Sequence, residues 1–172
     1  MLAGPGEKVR FALDQNYPSP VIQAFGTLMP YAELSAVADI EPAFAELDDW
    51  ELFLALHRLH PRWDGLITND DTLLAQPKEM TVLSQTHLTL VVAKGEGHSP
   101  VRSVGLVLAH LSHICHHSKR DRVQVWKLSV AQKDYDEPRT YLERIAQRSK
   151  TTVEDLVRTH KLSSKELRAP GN

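Results

Sequence analysis

The chain has 172 residues, of which 42% are hydrophobic, so it can build the core of one ordinary domain and is neither disordered nor fibrous. Its single cysteine excludes an internal disulfide scaffold, and no run of about 18 apolar residues indicates a membrane span or a signal peptide. We therefore expect a cytoplasmic protein without a membrane partner.

The formal net charge of −2 conceals an asymmetry between the two halves of the chain. Residues 1–93 carry 13 acids and 5 bases, whereas residues 94–172 carry 9 acids and 15 bases. Such a split indicates an acidic site in the first half or an anionic partner for the second.

Short apolar runs alternate with helical periods along the chain, which favours an α/β fold with a mostly parallel central sheet. The first strand is expected at Val9 to Leu13. A helix that begins near Pro18 should follow, with Phe25 and Leu28 on its apolar stripe. A second, weaker strand is expected around Leu34 to Ala38.

The middle of the chain predicts a helix, a strand and a shorter helix. Asp48 and Asp49 supply a helix N-cap, and the apolar residues over 50–60 then recur at helical spacing. The third strand should run over 65–68. A short helix is expected to begin at Thr72 and to end near Pro77.

The second half predicts two further strands and three helices. Residues 88–93 form a nearly continuous apolar run, which is typical of a buried parallel strand. A long helix over 100–117 and a strand over 123–130 should follow. Two helices, at about 137–149 and 152–160, and a frayed polar tail over 163–172 should close the chain. This pattern predicts an α/β domain over 1–133 and a C-terminal helical extension over 134–172.

Carboxylates occur where the predicted strands end. Asp14 follows the first strand, Asp70 and Asp71 follow the third, and Asp48 and Asp49 open the helix between them. Ligands of open parallel sheets bind beyond the carboxyl ends of the strands, so these acids should converge. Converging carboxylates repel one another unless a cation such as Mg²⁺ or Mn²⁺ neutralises them. Each acid taken alone is explained equally well as a turn or capping residue.

Three segments carry a resemblance to a known family: FALDQN (11–16), LDDWELFLAL (47–56) and LITNDDTLL (66–74). They resemble the PIN domain, most closely the PIN-like proteins in which a first strand is followed by Asp-Glu-Asn, and are related to the VapC-type toxin nucleases. The resemblance covers about residues 8–130.

The resemblance implies a three-layer α/β/α fold and a metal-dependent endoribonuclease that uses Mg²⁺ or Mn²⁺ to hydrolyse RNA phosphodiester bonds. Asp14, Asp49 and Asp70 match the family's catalytic, metal-binding acids, and Thr68 matches its hydroxyl position. The metal site could also include the neighbouring oxygen donors Asp48, Asp71 and Asn16. An antitoxin partner and a homodimer are implied by the resemblance alone.

The sequence departs from the family at Gln15, where the related proteins usually have Glu. This loss of a carboxylate favours an alternative, a non-catalytic PIN-like module that binds nucleic acid or a protein. A third reading is a phosphohydrolase of the haloacid-dehalogenase type, because Asp14-Gln15-Asn16 resembles its Asp-x-Asp. It ranks last because the second Asp is missing.

Basic and histidine side chains of the second half are candidates for contacts with RNA. Residues that could bind phosphate, or simply form a solvated surface, are Arg102, Lys119, Arg120 and Arg122. On the long helix, the imidazoles of His110, His113 and His117 should share one face and point to solvent or RNA, with a zinc site as the less favoured alternative. Cys115 falls on the opposite, apolar stripe and should be buried.

Overall fold

The computed structural model describes residues 8–15, 17, 22, 25, 28–94, 100–120, 122–130 and 134–168. The strands are β1 (Val9–Leu13), β2 (Ala32–Ala36), β3 (Gly65–Thr68), β4 (Thr89–Val92) and β5 (Gln124–Lys127). The helices are α1 (Val37–Ile40), α2 (Asp49–Arg58), α3 (Pro77–Ser84), α4 (Pro100–His117), α5 (Pro138–Ser149), α6 (Val153–His160) and α7 (Ser164–Arg168). Two 3₁₀ turns lie at Pro42–Glu46 and Thr72–Ala75.

The five strands form one parallel sheet with the order β2-β1-β3-β4-β5. Leu13 of β1 is in register with Ile67 of β3, and Thr68 of β3 is in register with Val92 of β4. Val92 is in turn in register with Lys127 of β5. The ends of these strands therefore form one row, which we call the carboxyl edge of the sheet; the amino edge is the row where the same strands begin.

Helices cover both faces of the sheet, because the strand residues are apolar on both sides. One face packs on α2, α3 and α5 through side chains that include Leu56, Met80 and Leu142. The other face packs on Phe25 and on α4, whose Val107 and Leu111 are fully buried. The predicted three-layer α/β/α architecture is thus confirmed.

Several predicted boundaries hold and others shift. The predicted bounds of β1, β3 and α4 match those of the structure. The second strand instead begins at Ala32 and ends at Ala36, since Val37 starts helix α1. Pro77 does not end a helix but begins α3, where its missing N–H costs no hydrogen bond. Leu28 is helical but 63% exposed, so it lies off the apolar stripe.

The predicted C-terminal extension packs against the α/β core. Tyr141, Leu142 and Ile145 of α5 are buried in the same cluster as the sheet. The frayed tail expected after residue 162 instead contains α7, and residues 169–172 lie outside the described part of the chain. Arg58 of α2 donates hydrogen bonds to the carbonyls of Glu166 and Leu167, which fixes α7 to the core.

No helix in the described part of the chain combines the length and the apolar character needed to cross a membrane.

Candidate metal and nucleic-acid site

One buried hydroxyl joins two of the predicted site residues. Thr68, the last residue of β3, donates a hydrogen bond from Oγ1 to Oδ2 of Asp14 at 2.9 Å. The backbone N–H of Asp70 donates to the same Oγ1 at 3.1 Å. The structure therefore brings Asp14 and Asp70 together at the carboxyl edge, although 56 positions separate them.

Backbone groups orient both carboxylates. The N–H of Gln15 donates to Oδ1 of Asp14 at 2.7 Å, and the N–H of Thr72 donates to Oδ1 of Asp70 at 2.8 Å. Asp14 is 9% exposed, whereas Asp70 is partly exposed. Backbone hydrogen bonds thus fix the positions of both carboxylates.

The predicted acids at the start of α2 have different roles. Asp48 is the N-cap of α2, where its carboxylate and the Glu51 side chain form a capping box. Asp49 is the first residue of the helix, and its pKa is raised to about 6, chiefly by burial and further by the charges of Asp14 and Asp70. Asp49 therefore lies within electrostatic reach of the pair that Thr68 holds.

We expect Asp49→Asn to stabilise the protein by about 1 kcal/mol at neutral pH, a gain limited by solvent screening of the partly exposed group. The folded chain holds the Asp49 proton up to about pH 6, against 3.8 for the ordinary carboxyl. Stability should fall as pH rises through this window, and the variant should remove that fall. Urea unfolding at pH 4 and pH 8 measures it, with Asp39→Asn as an exposed control. Equal gains in the free energy of unfolding for Asp49→Asn and Asp39→Asn would contradict the raised pKa of Asp49.

Asp71 is paired with two lysines. Its Oδ1 lies 2.6 Å from Nζ of Lys94, and its Oδ2 lies 3.6 Å from Nζ of Lys127. The hydrogen bond from Lys94, aided by the charges of both lysines, holds the pKa of Asp71 below its usual value. Asp71 was predicted as an additional metal ligand, but both of its oxygens face ammonium groups.

Three of the predicted phosphate-binding residues lie at the amino edge instead. Nε of Arg120 is 3.3 Å from Oδ1 of Asp64, which directly precedes β3. Lys119 and Arg122, close to Arg120 in the chain, are exposed there. Arg102 differs, because it is exposed in the first turn of α4, the end of that helix that follows β4. Of the four predicted bases, only Arg102 therefore belongs to the carboxyl edge. Asn16 lies outside the described residues.

Two residues near the acids were missed by the sequence analysis. The carboxylate of Glu79, in the first turn of α3, contributes to the raised pKa of Asp49. Tyr17 is 6% exposed, and burial, together with the charge of Asp14, raises its pKa. The pattern Pro77-x-Glu79 is a signal for a helix start and could have indicated Glu79. No pattern in the sequence indicated Tyr17.

The prediction that the helix histidines point to solvent is wrong for two of them. Nε2 of the partly buried His110 lies 2.9 Å from the carbonyl oxygen of Ser129. The ring of His113 is stacked on His117 and lies edge-on to Trp126, with centroid distances of 3.9 and 5.7 Å. His110 and His113 therefore contact residues in and just after β5. The separate expectation that Cys115 is buried is confirmed, and burial raises the pKa of this thiol to about 12.

A second histidine pair lies near the amino edge. Nδ1 of His57 is 2.8 Å from Nδ1 of His87, and Nε2 of His87 lies 3.1 Å from the carbonyl oxygen of Trp63. Since a carbonyl only accepts, His87 donates from Nε2 and, when neutral, accepts from His57 at Nδ1. Burial and the nearby cations Arg62, His57 and Arg120 lower the pKa of His87 to about 4.

We expect the contribution of His87 to the free energy of unfolding to fall by about 1 kcal/mol as pH is lowered from 6.5 to 4, after allowance for solvent screening, opposite in sign to the effect at Asp49. In this interval the unfolded chain takes up a proton at position 87 that the folded chain excludes. The variant His87→Gln should flatten the dependence, whereas the exposed His116→Gln should leave it unchanged. Thermal melts across this pH range measure the effect, and an unchanged slope in His87→Gln would contradict it.

The chemistry of the donors at the carboxyl edge suits a hard divalent cation, because Asp14, Asp49 and Asp70 offer only oxygen and repel one another. In the described residues, no group of three or more His, Cys, Asp or Glu is arranged to hold a metal ion directly.

No protein-family model matches the chain, and comparison with curated proteins and with solved structures finds no match either.

Proposed function

We propose that the protein is a Mg²⁺- or Mn²⁺-dependent endoribonuclease whose active site is built from Asp14, Asp49 and Asp70. The observation that carries this proposal is the shared Thr68 hydroxyl at the carboxyl edge, which donates to the carboxylate of Asp14 and accepts from the backbone N–H of Asp70. This edge is where parallel α/β sheets bind their ligands.

The chain's own residues supply position and charge. Thr68 fixes the direction of Asp14, and the turn after β3 fixes Asp70, so neither carboxylate must be ordered when substrate arrives. Asp49 adds a third negative charge from α2, and its pKa is raised chiefly by burial and further by repulsion from Asp14 and Asp70. A divalent cation held by these three residues would activate water and stabilise negative charge on the phosphoryl oxygens.

The proposal is tested by calorimetric titration with Mg²⁺ and Mn²⁺, together with digestion of single-stranded RNA. We expect binding and cleavage at pH 7.5, and loss of cleavage in EDTA. Binding should weaken at pH 5, where Asp49 must lose a proton before a cation binds. Undiminished cleavage in the presence of EDTA would overturn the proposal.

A non-catalytic module that binds nucleic acid or protein is the second candidate. It is favoured by Gln15, whose exposed side chain carries no charge at a position where a carboxylate is expected from the resemblance. RNA binding that is insensitive to EDTA, without any cleavage, would select this candidate.

We also propose a cellular location, a substrate and partners for the protein. We place the enzyme in the cytoplasm, where a chain with a single buried cysteine needs no oxidising environment. RNA is its proposed substrate. A homodimer and an antitoxin protein that restrains the nuclease remain proposals that rest on the resemblance.

A further inference from the structure

A cluster of opposite charge lies directly beside the proposed active site. It consists of Asp71, Lys94 and Lys127, which we call the lysine clamp. Both oxygens of the carboxylate are engaged, Oδ1 by Lys94 at 2.6 Å and Oδ2 by Lys127 at 3.6 Å. One carboxylate neutralises only one of the two ammonium groups, so the clamp carries a net positive charge.

The sheet fixes where the clamp lies. Thr68, Val92 and Lys127 occupy the same level of β3, β4 and β5, and the N–H of Ala93 donates to the Thr68 carbonyl at 2.8 Å. Lys94 follows β4, the neighbour of the strand that carries Thr68, and Lys127 lies one strand farther, in β5. Asp71 follows Asp70 in the chain, which places the clamp next to the proposed metal site.

The lysine side chains are accessible to a ligand. The side chain of Lys94 is 37% exposed and that of Lys127 is 54% exposed, whereas Asp71 beneath them is 22% exposed. Both lysine side chains are therefore more exposed than the Asp71 carboxylate that pairs with them. A lysine acts as a flexible point charge that binds phosphate, so a pre-positioned pair suits a polyanionic chain.

The lysine clamp supplies positive charge at the edge where most of the predicted phosphate-binding bases are missing. Lys119, Arg120 and Arg122 were expected to contact the substrate, yet they lie at the amino edge. An RNA strand bound at the acidic residues needs cations on the same edge to offset its own charge. Lys94 and Lys127 satisfy this condition.

We propose that Lys94 and Lys127 bind the phosphate backbone of the substrate on one side of the cleaved bond, and that Asp71 positions them instead of binding metal. The inference rests on the proposed nuclease function and adds to it the groups that hold the substrate. Asp71 is then a positioning residue: it keeps two like charges close together in the free protein, and the RNA replaces part of that role on binding.

The test measures binding of a fluorescent single-stranded RNA by anisotropy over a series of KCl concentrations, in EDTA so that the RNA stays intact. Lys94→Gln and Lys127→Gln should each weaken binding about three- to tenfold and make the salt slope shallower by about 0.7. The matched controls Lys119→Gln and Arg122→Gln, at the amino edge, should retain the wild-type affinity and slope. Equal losses in controls and clamp variants would overturn the proposal, because they would indicate only a loss of overall positive charge.

Asp71→Asn separates positioning from metal binding. It should bind Mg²⁺ in calorimetry like the wild type, but its KM for RNA should rise, because the neutral amide no longer holds the two ammonium groups in position. In cleavage assays Lys94→Gln and Lys127→Gln should raise KM more than they lower kcat. Loss of Mg²⁺ binding in Asp71→Asn would overturn the inference and make Asp71 a metal ligand.

The two proposals fail in different ways. If wild-type protein binds and cleaves RNA but both clamp variants behave like their controls, only the inference about the clamp is lost. If the wild type binds neither Mg²⁺ nor RNA, the proposed function fails, and the clamp proposal fails with it.

Discussion

Replacing Asp14 with asparagine is expected to reduce Mg²⁺-dependent RNA cleavage at least about 100-fold without unfolding the protein. Asparagine has the same shape: its amide oxygen can accept from the N–H of Gln15, and its amide nitrogen can donate to the Thr68 hydroxyl. The charge that would hold the cation is lost, however. Asp70→Asn should have the same effect, since the charge of Asp70 acts on Asp49 in the same site. Single-turnover cleavage with and without Mg²⁺ measures the loss.

The matched control is Asp39→Asn, which makes the same chemical change elsewhere. Asp39 lies in a surface pocket with Arg10 and His60, outside the proposed site. This variant should cleave RNA at the wild-type rate. Melting temperatures of the Asp14 and Asp70 variants should stay within a few degrees of the wild type, because relief of carboxylate repulsion offsets the weakened hydrogen bond. Retention of full cleavage by Asp14→Asn would contradict the assignment of the active site.

Gly65→Ala is expected to destabilise the protein by more than about 3 kcal/mol. Gly65 is the first residue of β3, in the middle of the sheet between β1 and β4. A Cβ atom at this position would lie 2.0 Å from the carbonyl oxygen of Thr89 and 2.6 Å from Cε1 of Phe11. Neither neighbour can move away, because the Thr89 carbonyl belongs to the backbone of the adjacent strand and the Phe11 side chain is fully buried.

The control for this prediction is the same substitution at Gly105 in helix α4. A Cβ atom there meets no atom within 4 Å, and the position is exposed. Gly105→Ala should raise stability by about 0.5 to 1 kcal/mol, since alanine has the better helix propensity. Urea unfolding of both variants measures the difference. A loss below about 1 kcal/mol for Gly65→Ala would show that the sheet can widen at this point.

Much of the fold was predictable because buried parallel strands leave a strong local signal. Residues 9–13, 65–68 and 89–92 belong to short, mostly apolar runs, and all three are strands. Positions that depend on tertiary contacts were not predictable in the same way. The tail was expected to fray because its own sequence is polar, but Arg58 bonds to its backbone from 108 or more positions away, and Gln85 bonds to Leu162 just before it.

The site was only partly predictable for a related physical reason. Asp14 and Asp70 were identified because both follow strands, and the ends of parallel strands share an edge. The direction of α4 was equally predictable, and it separates the bases after its C-terminus from the carboxyl edge. A helix that returns antiparallel to the strands carries residues 118–120 back to the amino edge, where Arg120 meets Asp64. The pairing of Asp71 with two lysines depends on strand register, which the sequence alone does not specify.

The strand order has a consequence for the time at which the site is complete. In the sheet, β3 lies next to β1, whereas in the chain β2 and α2 are made between them. During synthesis β1 and β2 can pair first, which leaves Asp14 at an open sheet edge with no hydroxyl beside it. Thr68 and Asp70 reach Asp14 only when β3 pairs with β1 at that edge. The pairing that forms the centre of the sheet therefore also brings the carboxylates together.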